Sequence, residues 1–157
     1  MLFIIDVQGF QYKNSDFICK EIAALKNFTC SHVIVNAPIK YEYLNQKFKY
    51  QVDWLTENIH GLRWDEQGSV DYCQIQDFLQ NLTADYDGVI YVKGLQKRRW
   101  LQRYISNEVV DLESADCLHS LPDSFQTCSY HNNCNDQRCS RNNVFKLGNW
   151  YLDSNCI

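Results

Sequence analysis

Six side chains able to bind a metal crowd one polar stretch of the chain: Cys117-x-His119, Cys128-x-x-His131, Cys134 and Cys139. Zinc takes four nitrogen or sulfur ligands in tetrahedral geometry, and a Cys-x-x-His pair has a bite that suits it. The segment from Asp111 to Gln137 is too polar to pack by itself, so an ion would give it order that apolar contacts do not. A structural zinc is therefore expected on a set drawn from Cys117, Cys128, His131, Cys134 and Cys139, and which four of them bind is open. A catalytic zinc is not expected, because no H-x-E or H-E-x-x-H accompanies the set. The alternatives are reduced thiols in a loop, or disulfides under oxidising conditions.

A second concentration of chemistry is cationic. Lys93, Lys97, Arg98, Arg99 and Arg103 fall close together in a protein whose net charge is −4. If residues 96–105 are helical, Arg99 and Arg103 share a face, and Trp100 and Tyr104 share the adjacent one. Gly94 opens that helix, whose first amides form a natural phosphate site. Either the bases of a single strand stack on these aromatics, or the rings face the core and the cations form a solvated face. Trp64 is another candidate for stacking, whereas Trp54 and Trp150 sit at helical spacing and read as core.

The elements that position these groups follow from the hydrophobic pattern. Leu2 to Phe10 reads as a buried strand, Phe17 to Ala23 as its hairpin partner, and Ser31 to Ala37 as a third strand closed by Pro38. Tyr41, Leu44, Phe48, Val52 and Leu55 then recur at helical steps until His60-Gly61-Leu62 breaks the pattern. A second helix carries Val70, Cys73, Ile75, Phe78, Leu79 and Leu82 on its inner side. Val89 to Val92 is a short β-branched strand, the basic helix follows, and Glu108 to Leu112 is a fifth strand. Asn142 to Tyr151 closes the chain as a helix. A three-strand antiparallel meander, two parallel strands and crossover helices make one α/β domain over 1–157, with a Cys/His-rich insert at about 114–139.

Composition limits the classes. With 157 residues, 45% hydrophobic and 22% charged, the chain is neither disordered nor fibrous. No apolar run approaches the roughly 20 residues that cross a bilayer. Met1-Leu2-Phe3-Ile4-Ile5-Asp6 lacks a basic segment before its short apolar run, so no secretory signal is expected. The expected setting is intracellular, cytoplasm or nucleus, with no membrane partner. Asn27-Phe-Thr and Asn81-Leu-Thr are then chance glycosylation matches, and Cys19, Cys30 and Cys73 read as small core residues. A pI near 5.5 argues against coating nucleic acid through bulk charge.

Element order and local motifs resemble the RNase H-like fold of the DEDDh 3′–5′ exonucleases, over roughly 2–113 and 139–152. Asp6-Val7-Gln8 stands where that family has Asp-x-Glu, and Asn58-Ile59-His60-Gly61-Leu62 resembles its N-x-H-G-I turn. Val92-Lys93-Gly94 takes the place of H-N-x-x-F-D, and Arg141 to Leu147 resembles the helix of its third motif. The phrase Tyr-Val-Lys-Gly-Leu-Gln-Lys is also similar to reading frames in arthropod genomes and their viruses or mobile elements. The resemblance implies two divalent cations, Mg²⁺ or Mn²⁺, held by about four carboxylates.

Most of those carboxylates are replaced. Gln8 stands for the Glu, and Lys97-Arg98-Arg99 covers the second Asp. Asn142 or Asn143 takes the third, and Gln137 or Arg138 the general-base His. A cation at the second motif would neutralise Asp6 as a metal does in an active relative. The resemblance thus implies a catalytically impaired exonuclease-like domain that binds single-stranded RNA or DNA through His60, Lys93, Lys97, Arg98, Arg99 and Arg103. Two alternatives stand beside it. One is an active metal-dependent nuclease with a rearranged site from Asp6, Asp111 or Glu113, and a residue of the insert. The other is an interaction module acting on a host nuclease or silencing factor.

Overall fold

The computed structural model describes residues 1–12, 16–115, 121–131 and 138–155. Strands β1 (Phe3–Tyr12), β2 (Asp16–Lys26), β3 (Thr29–Ile34), β4 (Ile90–Val92) and β5 (Val109–Asp111) form one sheet in the order β3-β2-β1-β4-β5. β1 and β2 are antiparallel, as are β2 and β3, while β4 runs parallel to β1 and β5 parallel to β4. Among the described residues, four α-helices accompany the sheet: α1 (Gln46–Leu55), α2 (Ile75–Thr83), α3 (Leu95–Gln102) and α4 (Ser140–Asn155). The expected α/β class and mixed sheet are present.

The central strand reads as an almost unbroken apolar run because both of its faces are covered. Phe3, Ile5 and Val7 pack with Ile75 and Leu79 of α2 and with Trp100 and Leu101 of α3. Leu2 and Ile4 point the other way and pack with Ala23 and Leu25 of β2 and with Val144 and Leu147 of α4. Side chains alternate along a strand, so Asp6 and Gln8 continue the row that faces α4. Gln8 lies directly opposite Glu21 in the β1–β2 ladder. A third cluster, Phe10, Leu44, Phe48, Val52 and Trp64, closes the far end of β1 against α1.

Two local devices fix that far end. The ladder shifts register between Gln8 and Gly9, and a Cβ at Gly9 would lie 2.0 Å from the Ile18 carbonyl oxygen. Only glycine fits there. Asn45 caps α1 by accepting a hydrogen bond from the Phe48 amide at 2.8 Å. After α1 the helix widens into one π turn, Thr56–His60, and stops at Gly61 with φ 70°, a left-handed conformation that suits glycine.

Several expectations need correction. The third strand stops at Ile34, and Val35 instead makes an isolated parallel bridge to Val70. The helix expected from Tyr41 starts at Gln46, because Leu44 and Asn45 are extended after a single tight turn over Tyr41–Tyr43. Trp54 is 49% exposed rather than in the core, since it falls off the Phe48/Val52 face of α1. Cys73 is exposed as well, in a short turn before α2. Among the described residues no helix is long and apolar enough to cross a membrane.

Candidate functional site

Four residues from three parts of the chain converge on the α4 side of the sheet. Glu21 comes from the middle of β2, Cys128 and His131 from the loop at 121–131, and Cys139 from the residue before α4. Their ligand atoms all lie within 4.8 Å of one another. Oε2 of Glu21 is 2.9 Å from Nε2 of His131, 3.4 Å from Sγ of Cys128 and 3.9 Å from Sγ of Cys139. Metal–ligand bonds of 2.0–2.3 Å in a tetrahedron put neighbouring ligand atoms roughly 3.5 Å apart, and these separations bracket that value. The cluster therefore has the size and the donors to hold a metal ion.

Its surroundings are compatible with one. The Ser140 amide donates to Oε1 of Glu21 at 2.7 Å, leaving Oε2 turned toward the cluster. His131 bonds through Nδ1 to the His60 carbonyl, which only accepts, so Nδ1 carries the hydrogen and Nε2 faces inward. A ring fixed this way through its outer nitrogen is the usual support of a metal-binding histidine. The Ser140 hydroxyl, fully buried beside Cys139, has no partner among the described residues.

The charges point the same way. Burial pushes the Glu21 carboxyl up, but hydrogen bonds from His131, His32 and the Ser140 amide outweigh it and hold the acid well below its usual range. Burial opposes charge on His131, yet its bonds to Cys139 and Glu21 raise it to about 10. Hydrogen bonding from Cys128 brings the Cys139 thiol down to about 5 against the cost of burial. The same bond, with burial, pushes Cys128 up. The pocket thus favours negative charge on Glu21 and Cys139 and positive charge on His131. A divalent cation would supply more.

The second constellation surrounds Asp6, which is only 1% exposed. Lys97 of α3 donates to Oδ1 at 2.5 Å, and Asn143 of α4 donates to Oδ2 at 3.0 Å. Both carboxylate oxygens are engaged by the chain's own cation and amide. Gln8 sits two residues along on the same face, beside Glu21. Asp111 lies elsewhere: its Oδ1 accepts from the Gly94 and Glu113 amides at 2.8 and 3.0 Å, bracing the turn from β4 into α3. Asn142 bonds outward, with Nδ2 on Asp123 and Oδ1 accepting from the Gln126 amide, and so pins the loop at 121–131.

No protein-family model matches this chain, and no curated protein matches it.

The expected nucleic-acid residues are dispersed. His60 is 1% exposed and serves the interior. Its Nε2 donates to the Gly9 carbonyl at 2.9 Å and its Nδ1 accepts from the Leu62 amide at 3.0 Å, a pairing that requires a neutral ring. Burial lowers its pKa to about 4. A groove-facing role for His60 is therefore corrected to a structural one. Trp100 and Trp64 are buried at 2% and 3% exposure, so neither ring is open to stacking. Lys97 is spent on Asp6 and Lys93 is half-buried, while Arg98 is exposed although its Nε donates to the Val109 carbonyl at 3.0 Å. Arg99 and Arg103 remain exposed, one turn apart, along a cleft of about 260 Å³ floored by Phe17, Leu95 and Trp100.

Of the expected zinc ligands, Cys128, His131 and Cys139 come together, while Cys117 and Cys134 lie outside the described residues. Sequence reasoning missed Glu21. Its signal was nevertheless present: Lys20-Glu21 interrupts an otherwise apolar strand, and a charge fully buried in a sheet needs a partner.

Proposed function

We propose that the chain is an RNase H-like domain whose two-metal hydrolytic site has been retired, and that it binds single-stranded nucleic acid without degrading it. One observation carries the reading: the buried Asp6 carboxylate is satisfied by Lys97 and Asn143. An ammonium group at 2.5 Å stands where an active relative would hold a divalent cation, and Gln8 and Asn143 offer no replacement charge. The antiparallel meander followed by two parallel strands supports the family resemblance. Single-stranded nucleic acid would run along the outer face of α3, with phosphates on Arg99 and Arg103.

The ion assigned to Glu21, Cys128, His131 and Cys139 is zinc in a structural role. Two sulfurs favour zinc over the hard cations Mg²⁺ and Mn²⁺, and four protein ligands leave no open position for a reacting water. Bound there, the ion would join β2, the loop at 121–131 and the start of α4, so that α4 presents Asn143 to Asp6.

A native gel series tests the functional reading, using labelled single- and double-stranded RNA and DNA with Mn²⁺ or with EDTA. The expected result is a shifted, uncut single strand in both sets of lanes. That shift should weaken steeply with salt and disappear in Arg99→Glu/Arg103→Glu, because phosphate contacts release counterions. Shortened product in the Mn²⁺ lanes alone would contradict the retired site. An unshifted probe would contradict nucleic-acid binding and point to a protein partner.

A further inference from the structure

A second histidine reaches the same carboxylate. His32 lies on β3 opposite Ala23, while Glu21 lies opposite Ile34, which makes His32 and Glu21 diagonal neighbours across the β2–β3 ladder. Diagonal positions share a face and are within reach of long side chains. Nε2 of His32 is 2.8 Å from Oε2 of Glu21, the oxygen that faces the cluster. His32 is not one of the four residues whose ligand atoms lie within 4.8 Å of one another. Its side chain is 14% exposed against 3% for His131, so it stands on the solvent side of the site. The Tyr130 ring packs near it, 6.3 Å away between centroids.

Hydrogen-bond capacity assigns the two rings different duties. A carboxylate offers about four acceptor positions over its two oxygens. The Ser140 amide takes one on Oε1, and Oε2 has room for one metal bond and one hydrogen bond. We propose that His32 is a positioning residue for the metal: its Nε2–H donates to Oε2 of Glu21, holding the carboxylate in its binding orientation, and it does not bind the ion. The two histidines are then opposite tautomers. His131 carries its hydrogen on Nδ1, against the His60 carbonyl, and offers Nε2 to the ion; His32 carries its hydrogen on Nε2. The proposal rests on the zinc reading above.

Nitrogen-15 histidine NMR of the zinc-loaded protein tests it, alongside Co²⁺ titrations of the full chain. The expected spectrum has His131 protonated on Nδ1 with a metal-shifted Nε2, and His32 protonated on Nε2 with no metal shift. His32→Ala should weaken Co²⁺ binding about 10- to 100-fold and leave the sulfur-to-metal band per bound ion unchanged. His32→Gln, which keeps a donor, should recover most of the affinity. A metal-shifted His32 nitrogen would overturn the proposal by making it a ligand, and so would unchanged affinity in His32→Ala. Should either variant fail to fold, the wild-type spectrum alone decides. A wild-type protein that takes up no metal would defeat the zinc reading itself.

Discussion

Asp6 is the residue on which the account turns. A carboxylate this deeply buried is tolerated only while it is paired, and removing one partner of such a pair strands the other. Lys97→Met should therefore destabilise the fold by about 3 kcal/mol in urea denaturation. Adding Asp6→Asn to Lys97→Met should recover most of that loss, because the stranded charge disappears. Some of this chemistry was legible in the sequence. Cys128, His131 and Cys139 stood out because thiols and imidazoles are rare in a polar stretch. The basic run at 97–99 was placed opposite Asp6 by a motif resemblance rather than by any physical pattern. Glu21 was hidden because its role comes from strand pairing, which brings it beside Gln8 and beneath residues more than a hundred positions later. His60 misled for the opposite reason: a histidine in a glycine turn reads as exposed until its two ring nitrogens are found bonded to Gly9 and Leu62.

Strand pairing and one helix link the two sites. The β1–β2 ladder carries Asp6 and Gln8 on one strand and Glu21 on the next, on the same face, and its register beyond Gln8 depends on the bulge at Gly9. Gly9→Ala would drive a methyl group into the Ile18 carbonyl and open the ladder there. A loss of about 3 kcal/mol is expected from such overpacking, with weaker metal binding in the same variant, read by urea denaturation and Co²⁺ titration. Helix α4 makes the second link, because Cys139 and Asn143 stand one turn apart, joined by the Asn143 amide on the Cys139 carbonyl at 2.9 Å. Chelating the metal should loosen that turn first. Amide exchange at Asn143 should accelerate at least tenfold on chelation, while β1 amides stay protected. The order of strands and helices was readable from apolar periodicity, and the ends of elements were not. Trp100 shows why: on α3 the cations and the aromatics alternate around the helix, and only tertiary packing decides which face turns inward.

For the whole molecule, the distribution of charge matters more than its sum. A net charge of −4 coexists with three exposed arginines on and just after α3, Arg98, Arg99 and Arg103, while Lys97 and Lys26 are each bound to an acid. Binding along α3 should therefore be modest in strength and strongly salt-dependent. Stability should also follow free zinc, since an ion that binds only the folded chain stabilises it by mass action, by about 2.7 kcal/mol at a hundredfold excess over its dissociation constant. The melting temperature should rise with added zinc in the wild type and stay flat in Cys139→Ser. The central claim is that metal chemistry in this fold resides at Glu21, Cys128, His131 and Cys139, while the Asp6 pocket is closed by its own lysine. The metal content of purified wild type, Asp6→Asn and Cys139→Ser tests that claim most directly. The account predicts one zinc per chain in the wild type and in Asp6→Asn, and none in Cys139→Ser. A bound metal that survives Cys139→Ser and is lost in Asp6→Asn would contradict it.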